Sequence, residues 1–260
     1  MSESLSDPEI RKITRQIIDD YRAEEQNFAE YSLPEYEVID DFSKANLATF
    51  LTFTTAINLN RETTGEGGVW QKCKRLYDYD EYNWVFEPSR IADMNGIDIY
   101  DEVFGQIGLG GSAAGIWCGV GESLQEDVDG NVLRLIKKTD KDAEKLKAHL
   151  IRNEYQSLRR EKVGHLWLRL IDEEVQSLAN IDKIAIPVDR HIITVTEELT
   201  QAEYLRNSEE DLEEIREFWE RICKPEDYYP VEVDKPLWLI GKYWDKWGES
   251  CVQTKFEPVR

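Results

Sequence analysis

Apolar residues recur at helical spacing along most of the chain. Ile10, Ile13, Ile17 and Tyr21 fall on one face of a helix, and Ser6-Asp7-Pro8 ahead of them supplies a capping side chain with a proline at the first helical position. A second helix is predicted from Lys44 to Asn58, a turn from Thr63 to Gly68, and a short helix from Val69 to Tyr77 that carries Trp70. Further helices are predicted over Asp140–Asn153, Glu161–Leu178 and Asp189–Leu199. Another runs from a capping box at Ser208-Glu-Glu-Asp211 through Ile222, with Leu212, Ile215, Phe218, Trp219 and Ile222 inward. The last runs from Lys235 to Trp244, after a break at Pro230. Strand signals are few: Ile184–Pro187 reads as extended, and the tight turn at Gly130 followed by Val132–Ile136 predicts a short β hairpin near 123–136. The fold class is therefore mostly α.

Composition narrows the classes. A chain of 260 residues with 41% hydrophobic content, 8 Trp and 12 Tyr folds rather than staying disordered. It holds no uncharged apolar run long enough to span a membrane, so no membrane partner is expected. The acidic, polar Met1–Asp7 segment carries no signal-peptide pattern, and a cytoplasmic location and a monomeric state are expected. Cys73, Cys118, Cys223 and Cys251 lie far apart with no CxxC pair beside only three histidines, which excludes a metal finger and predicts buried thiols. No metal and no other cofactor is implied. Between Gly105 and Gly121 stand seven glycines in seventeen residues, but no apolar strand precedes them and no βαβ unit follows. A dinucleotide loop fails that context test, and close helix packing or a flexible connection is the reading. Asp127-Val-Asp129-Gly130-Asn131 has the start of a calcium loop and lacks the closing glutamate.

Net charge is −21, which opposes nucleic-acid binding if spread evenly. It is not evenly spread. From Arg134 to Lys162 ten basic residues face five acidic ones, so that window is +5 and the remainder −26. Such a stretch docks a phosphate backbone or is simply a solvated helix face.

The most informative segment is Ile184-Ala-Ile-Pro187-Val188-Asp189-Arg190-His191-Ile192. An aspartate opening an amphipathic helix caps it, and the helix dipole favours the charged form there. Aimed into a cleft, the same carboxylate stabilises positive charge developing on a sugar ring as a glycosidic bond breaks. Pro187–Ile192 resembles the segment of helix-hairpin-helix DNA glycosylases that carries their catalytic aspartate. Arg159-Arg160-Glu161-Lys162 looks like the segment of the archaeal 8-oxoguanine DNA glycosylase/lyases that ends in their catalytic lysine. Thr64-Gly65-Glu66-Gly67-Gly68-Val69-Trp70 is similar to that family's glycine-rich stretch before a tryptophan that contacts the damaged base. Val233-Asp234-Lys235-Pro236-Leu237-Trp238-Leu239-Ile240-Gly241-Lys242 resembles its segment whose aspartate and tryptophan line the base pocket. The four matches keep one order over about 200 residues.

The resemblance implies a two-lobed helix-hairpin-helix glycosylase-like fold, with one lobe from the helices of 1–100 and 200–260 and a central helical lobe of about 101–199. It implies Lys162 and Asp189 as catalytic residues facing one another, with Lys183 in reserve. Trp70, Asp234 and Trp238 are implied against the base, with Glu35 where the family has a base-reading glutamine. Arg152, Arg159 and Arg160 are implied on damaged DNA. The superfamily's hairpin usually has glycines that admit a phosphate to backbone amides; Glu154–Lys162 has none, and Gly164 follows. On its own, the residue reading leaves Asp234 open as a cap of the last helix and the two tryptophans open as core. A non-catalytic nucleic-acid-binding relative and an acidic protein-binding scaffold are the alternatives.

Overall fold

The computed structural model describes residues 5–58 and 67–253. These form thirteen α-helices: α1 (Asp7–Arg22), α2 (Lys44–Ile57), α3 (Val69–Asp78), α4 (Pro88–Ile91), α5 (Gly96–Glu102), α6 (Gly111–Val128), α7 (Val132–Lys138), α8 (Ala143–Arg152), α9 (Glu161–Leu170), α10 (Arg190–Thr200), α11 (Glu209–Cys223), α12 (Pro230–Lys242) and α13 (Glu249–Gln253). Among the described residues the β content is one isolated bridge between Asp142 and Ala179. The expected mostly α class is the class observed. Thr63 to Glu66, with the first residues of the glycine-rich stretch before Trp70, lie outside the described residues.

The chain divides into two compact units, one from Met1–Leu33 with Asp182–Arg260, the other from Pro34–Ile181. The sequence reading places these boundaries near 100 and 199 instead. In the terminal unit, Ser6 starts α1 by donating from its N–H and its hydroxyl to the Glu9 carboxylate. Ile10, Ile13, Ile17 and Ile18 are buried, and α1 packs on α11 and α12. Helix α12 begins at Pro230, so that proline starts the helix rather than breaking the chain before it. Proline has no N–H to lose at a first helical position. Asp234 consequently lies inside α12 and is not its cap.

In the central unit α2 is buried on all sides, with ten of its fourteen residues inside. Helices α3, α6, α7 and α9 surround it. Phe53 stacks on Trp117 at 4.8 Å, and the Trp117 indole donates to the Val85 carbonyl at 2.6 Å. Trp167 of α9 donates to the Thr52 hydroxyl at 3.0 Å. Both indoles thus bury their area without stranding an N–H.

The β hairpin expected near 123–136 is not there: 111–128 is α6 and 132–138 is α7. Asp129 and Gly130 both take positive φ (51° and 73°), and Gly130 N–H returns to the Leu124 carbonyl. The residues that suit a hairpin turn here close a helix. The glycine-rich stretch serves packing. A Cβ on Gly121 would stand 2.5 Å from Ile91 Cγ2 and 2.9 Å from Ile91 Cβ, whereas one on Gly115 would meet nothing within 4 Å.

These two glycines of one helix therefore respond oppositely to alanine. Gly115→Ala gains roughly 0.5–1 kcal/mol from lower unfolded-state freedom. Gly121→Ala drives a methyl into the buried Ile91 and loses about 1–3 kcal/mol. Urea midpoints at unchanged m-value measure both, and a stabilised Gly121→Ala would refute the packing account.

Candidate active site

Asp189 is the N-cap of α10. Its Oδ1 accepts the N–H groups of His191 at 2.9 Å and Ile192 at 3.2 Å, and its Oδ2 accepts the indole N–H of Trp238 at 3.1 Å. The side chain is 6% exposed and Trp238 is 1% exposed. The sequence offers capping and catalysis as competing roles for Asp189; the capping geometry is present, and it leaves the carboxylate fixed in direction by three donors. Trp238 comes this close because α10 and α12 touch backbone to backbone: a Cβ on Gly241 would lie 2.3 Å from the His191 carbonyl oxygen. The His191 ring meets Trp238 edge to face at 5.2 Å. Burial pushes the His191 pKa below its usual 6.5, against the opposing pull of Asp189 and a hydrogen bond with the Gly241 backbone. Asp234 stands one helical turn before Trp238 and is fully buried. The terminal unit thus brings Asp189 and Trp238 into contact. Lys183 lies exposed in a short turn, Ile181–Lys183.

Lys162 belongs to the central unit. Helices α8 and α9, joined by residues 153–160, form a helix-hairpin-helix, and Lys162 is the second residue of α9 and half-buried. The hairpin lacks glycine, and its left-handed positions are taken by Glu154 (φ 52°) and Ser157 (φ 64°). Gly164 serves a close approach within the same element. A Cβ there would lie 2.4 Å from the Leu158 carbonyl oxygen, so the glycine lets α9 fold back on its own turn. Arg160 is the N-cap of α9 without a side-chain capping bond, Arg159 reaches Glu154 at 3.3 Å, and Arg152 ends α8, all three exposed.

Trp70, on α3, is 2% exposed and packs near Phe50 at 6.2 Å between ring centres. Its indole N–H has no partner among the described residues. Glu35 is fully buried and forms an ion pair with Arg169 of α9, each side chain 1% exposed. Beside it the Tyr36 hydroxyl donates to Glu173, and burial raises the Tyr36 pKa. The sequence reading misses Arg169; its signal is a lone cation inside the apolar run Val163–Ile171. Asp127, read from the sequence only as the start of a calcium-like loop, instead has Lys138, His149 and Tyr155 on its carboxylate.

Among the described residues no three His, Cys, Asp or Glu side chains gather as a metal ion would require. The four cysteines are unbridged, and burial pushes the Cys73 and Cys223 thiols up to about 12. No described helix is long and apolar enough to cross a membrane.

Residues 162–257 match the family described as AGOG, N-glycosylase/DNA lyase. Over that stretch, less than half of the chain, it is similar to the N-glycosylase/DNA lyases. The matched stretch begins at Lys162 and takes in Asp189, Asp234 and Trp238; Glu35, Trp70 and the three arginines precede it. No curated protein matches the chain.

His191 gives the matched stretch a specific acid sensitivity. Its folded pKa is depressed, so the unfolded chain binds the proton first. Stability is present above the ordinary histidine value of 6.5 and is lost as pH falls toward the folded value. His191→Gln should remove that part of the loss. Urea unfolding between about pH 7 and pH 5.5 tests it, since parallel curves for the two proteins would dismiss His191 as the source.

Proposed function

We propose that the protein excises an oxidised purine, 8-oxoguanine, from DNA and cleaves the strand by β-elimination, with Lys162 as nucleophile and Asp189 as the counter-charge. The observation that carries this is the family match, which starts at Lys162 and spans Asp189, Asp234 and Trp238.

The Lys162 amine attacks the deoxyribose C1′, the glycosidic bond breaks, and the base leaves with the bonding pair and takes up a proton. The ring then opens: C1′–O4′ breaks, O4′ gains a proton, and a protonated Schiff base links lysine to C1′. Loss of a C2′ proton expels the 3′ phosphate, and water releases the lysine. Attack needs a neutral amine, and the first turn of α9 beside Arg159 and Arg160 disfavours positive charge. Positive charge grows on the sugar as the base departs, and a carboxylate held by three N–H groups opposes it without having to reorganise. The Trp238 indole commits its N–H to Asp189, so toward a base it offers a flat face. Glu35, paired with Arg169, is an acceptor only, and an oxidised purine presents a ring N–H where guanine has a lone pair.

Borohydride trapping on an 8-oxoguanine duplex is the test. The unaltered protein and Lys183→Gln should both form the covalent adduct. Lys162→Gln should form none while retaining DNA affinity, and Asp189→Asn should slow base release about a hundredfold or more. An adduct with Lys162→Gln and none with Lys183→Gln would move the nucleophile to Lys183.

A further inference from the structure

A concavity lies on the central unit, between the end of α7 and α8. It encloses about 240 Å³ and is lined by Lys138, Thr139, Lys145, Ala148, His149 and Arg152. Residues 145, 148, 149 and 152 are one face of α8, and the end of α7 supplies the opposite wall.

The cations around it are held in place from beneath. Asp127 of α6 is 12% exposed in its side chain; its Oδ1 accepts Lys138 Nζ at 2.5 Å, and its Oδ2 contacts His149 Nε2 at 2.6 Å and accepts the Tyr155 hydroxyl at 2.9 Å. Burial alone would raise the Asp127 pKa, and the bonds from Lys138, His149 and Tyr155 outweigh it, so the carboxylate stays charged. Lys145 pairs with the exposed Asp140 at 2.7 Å. An ammonium has three donors, so Lys138 and Lys145 each keep donors beyond these bonds. Arg152 has no ion-pair or hydrogen-bond partner among the described residues. Lys138, Lys145 and Arg152 stand against Asp127 and Asp140, and these five groups leave a single positive charge, the complement of one phosphodiester.

We infer that this cavity is a binding site for a DNA backbone phosphate, separate from the hairpin turn and from Lys162, with Arg152 and Lys145 as its contacts. The inference rests on the reading of the protein as a DNA enzyme. Continuity argues for DNA over a free anion: Arg152 is followed directly by the hairpin residues 153–160, so one strand passes from the turn to the cavity. Asp127 acts through Lys138 and His149 and positions the wall.

Affinity for an undamaged duplex, measured against salt, tests the assignment. Lys145→Ala with Arg152→Ala should flatten the dependence of log K on log salt by about one, while Lys12→Ala, on the terminal unit, leaves it as in the parent. Lys12→Ala should also trap as the parent does at saturating protein. An unaltered slope in the double variant, while the parent binds and traps, refutes the cavity and leaves the enzyme reading standing. An unaltered protein that neither binds DNA nor traps refutes both. Titration with inorganic phosphate alone is the last arm: saturable resonance shifts at His149 at low millimolar concentration would assign the cavity to a free anion and overturn the DNA site.

Discussion

Gly241 has no side chain, and for that reason the backbones of α10 and α12 meet at the His191 carbonyl. Everything proposed for the terminal unit depends on that contact. It brings the Trp238 indole onto Asp189, whose other oxygen is occupied by the second and third amides of α10. A carboxylate that is 6% exposed gives up several kcal/mol of hydration. Three bonds to a charged acceptor, each worth about 1.5–3 kcal/mol, are enough to offset it. Helix start, aromatic wall and carboxylate direction are thus one arrangement. Any side chain at position 241 would disturb all three together.

The central unit is organised by a second buried charge. Glu35 and Arg169 are both inside, and breaking such a pair from one side costs about 3–5 kcal/mol. Glu35 is thereby tied to Arg169 on α9, the helix that begins at Glu161 and carries Lys162. A glutamine at 35 would remove the counter-charge that Glu35 supplies to Arg169. The two side chains act as one buried unit, which the residue at position 35 alone does not reveal.

Local signals in the sequence located most helices but not what their ends do. The cap at Ser6 and the box at Ser208 fix α1 and α11 closely, because both the side-chain acceptor and the apolar period lie within a few residues. At Asp129-Gly130 the same turn chemistry serves a hairpin or a helix end, and the five apolar-rich residues after it are too few to show a period. Glutamate and serine occupy left-handed positions of the 153–160 hairpin, so a search for glycine there finds nothing although the helices still turn back. The order of the motifs was legible. The partner of Glu35 was not, since Arg169 is 134 positions away and nothing local links the two.

Charge distribution decides whether an acidic protein can hold DNA. Global repulsion from a chain of −21 acts through water and salt, and beyond about 10 Å at 0.1 M ionic strength it is largely screened. A phosphate in the cavity on α8 meets Lys138, Lys145 and Arg152 in its lining, against Asp127 and Asp140 paired with the two lysines. Asp127 is already counted in that balance, and its bonds to Lys138, His149 and Tyr155 beneath the surface hold the wall in place. The acidic remainder acts at longer range and disfavours polyanions that approach elsewhere. Net charge and local charge therefore act on different steps: the first limits where a duplex can land, and the second holds it there.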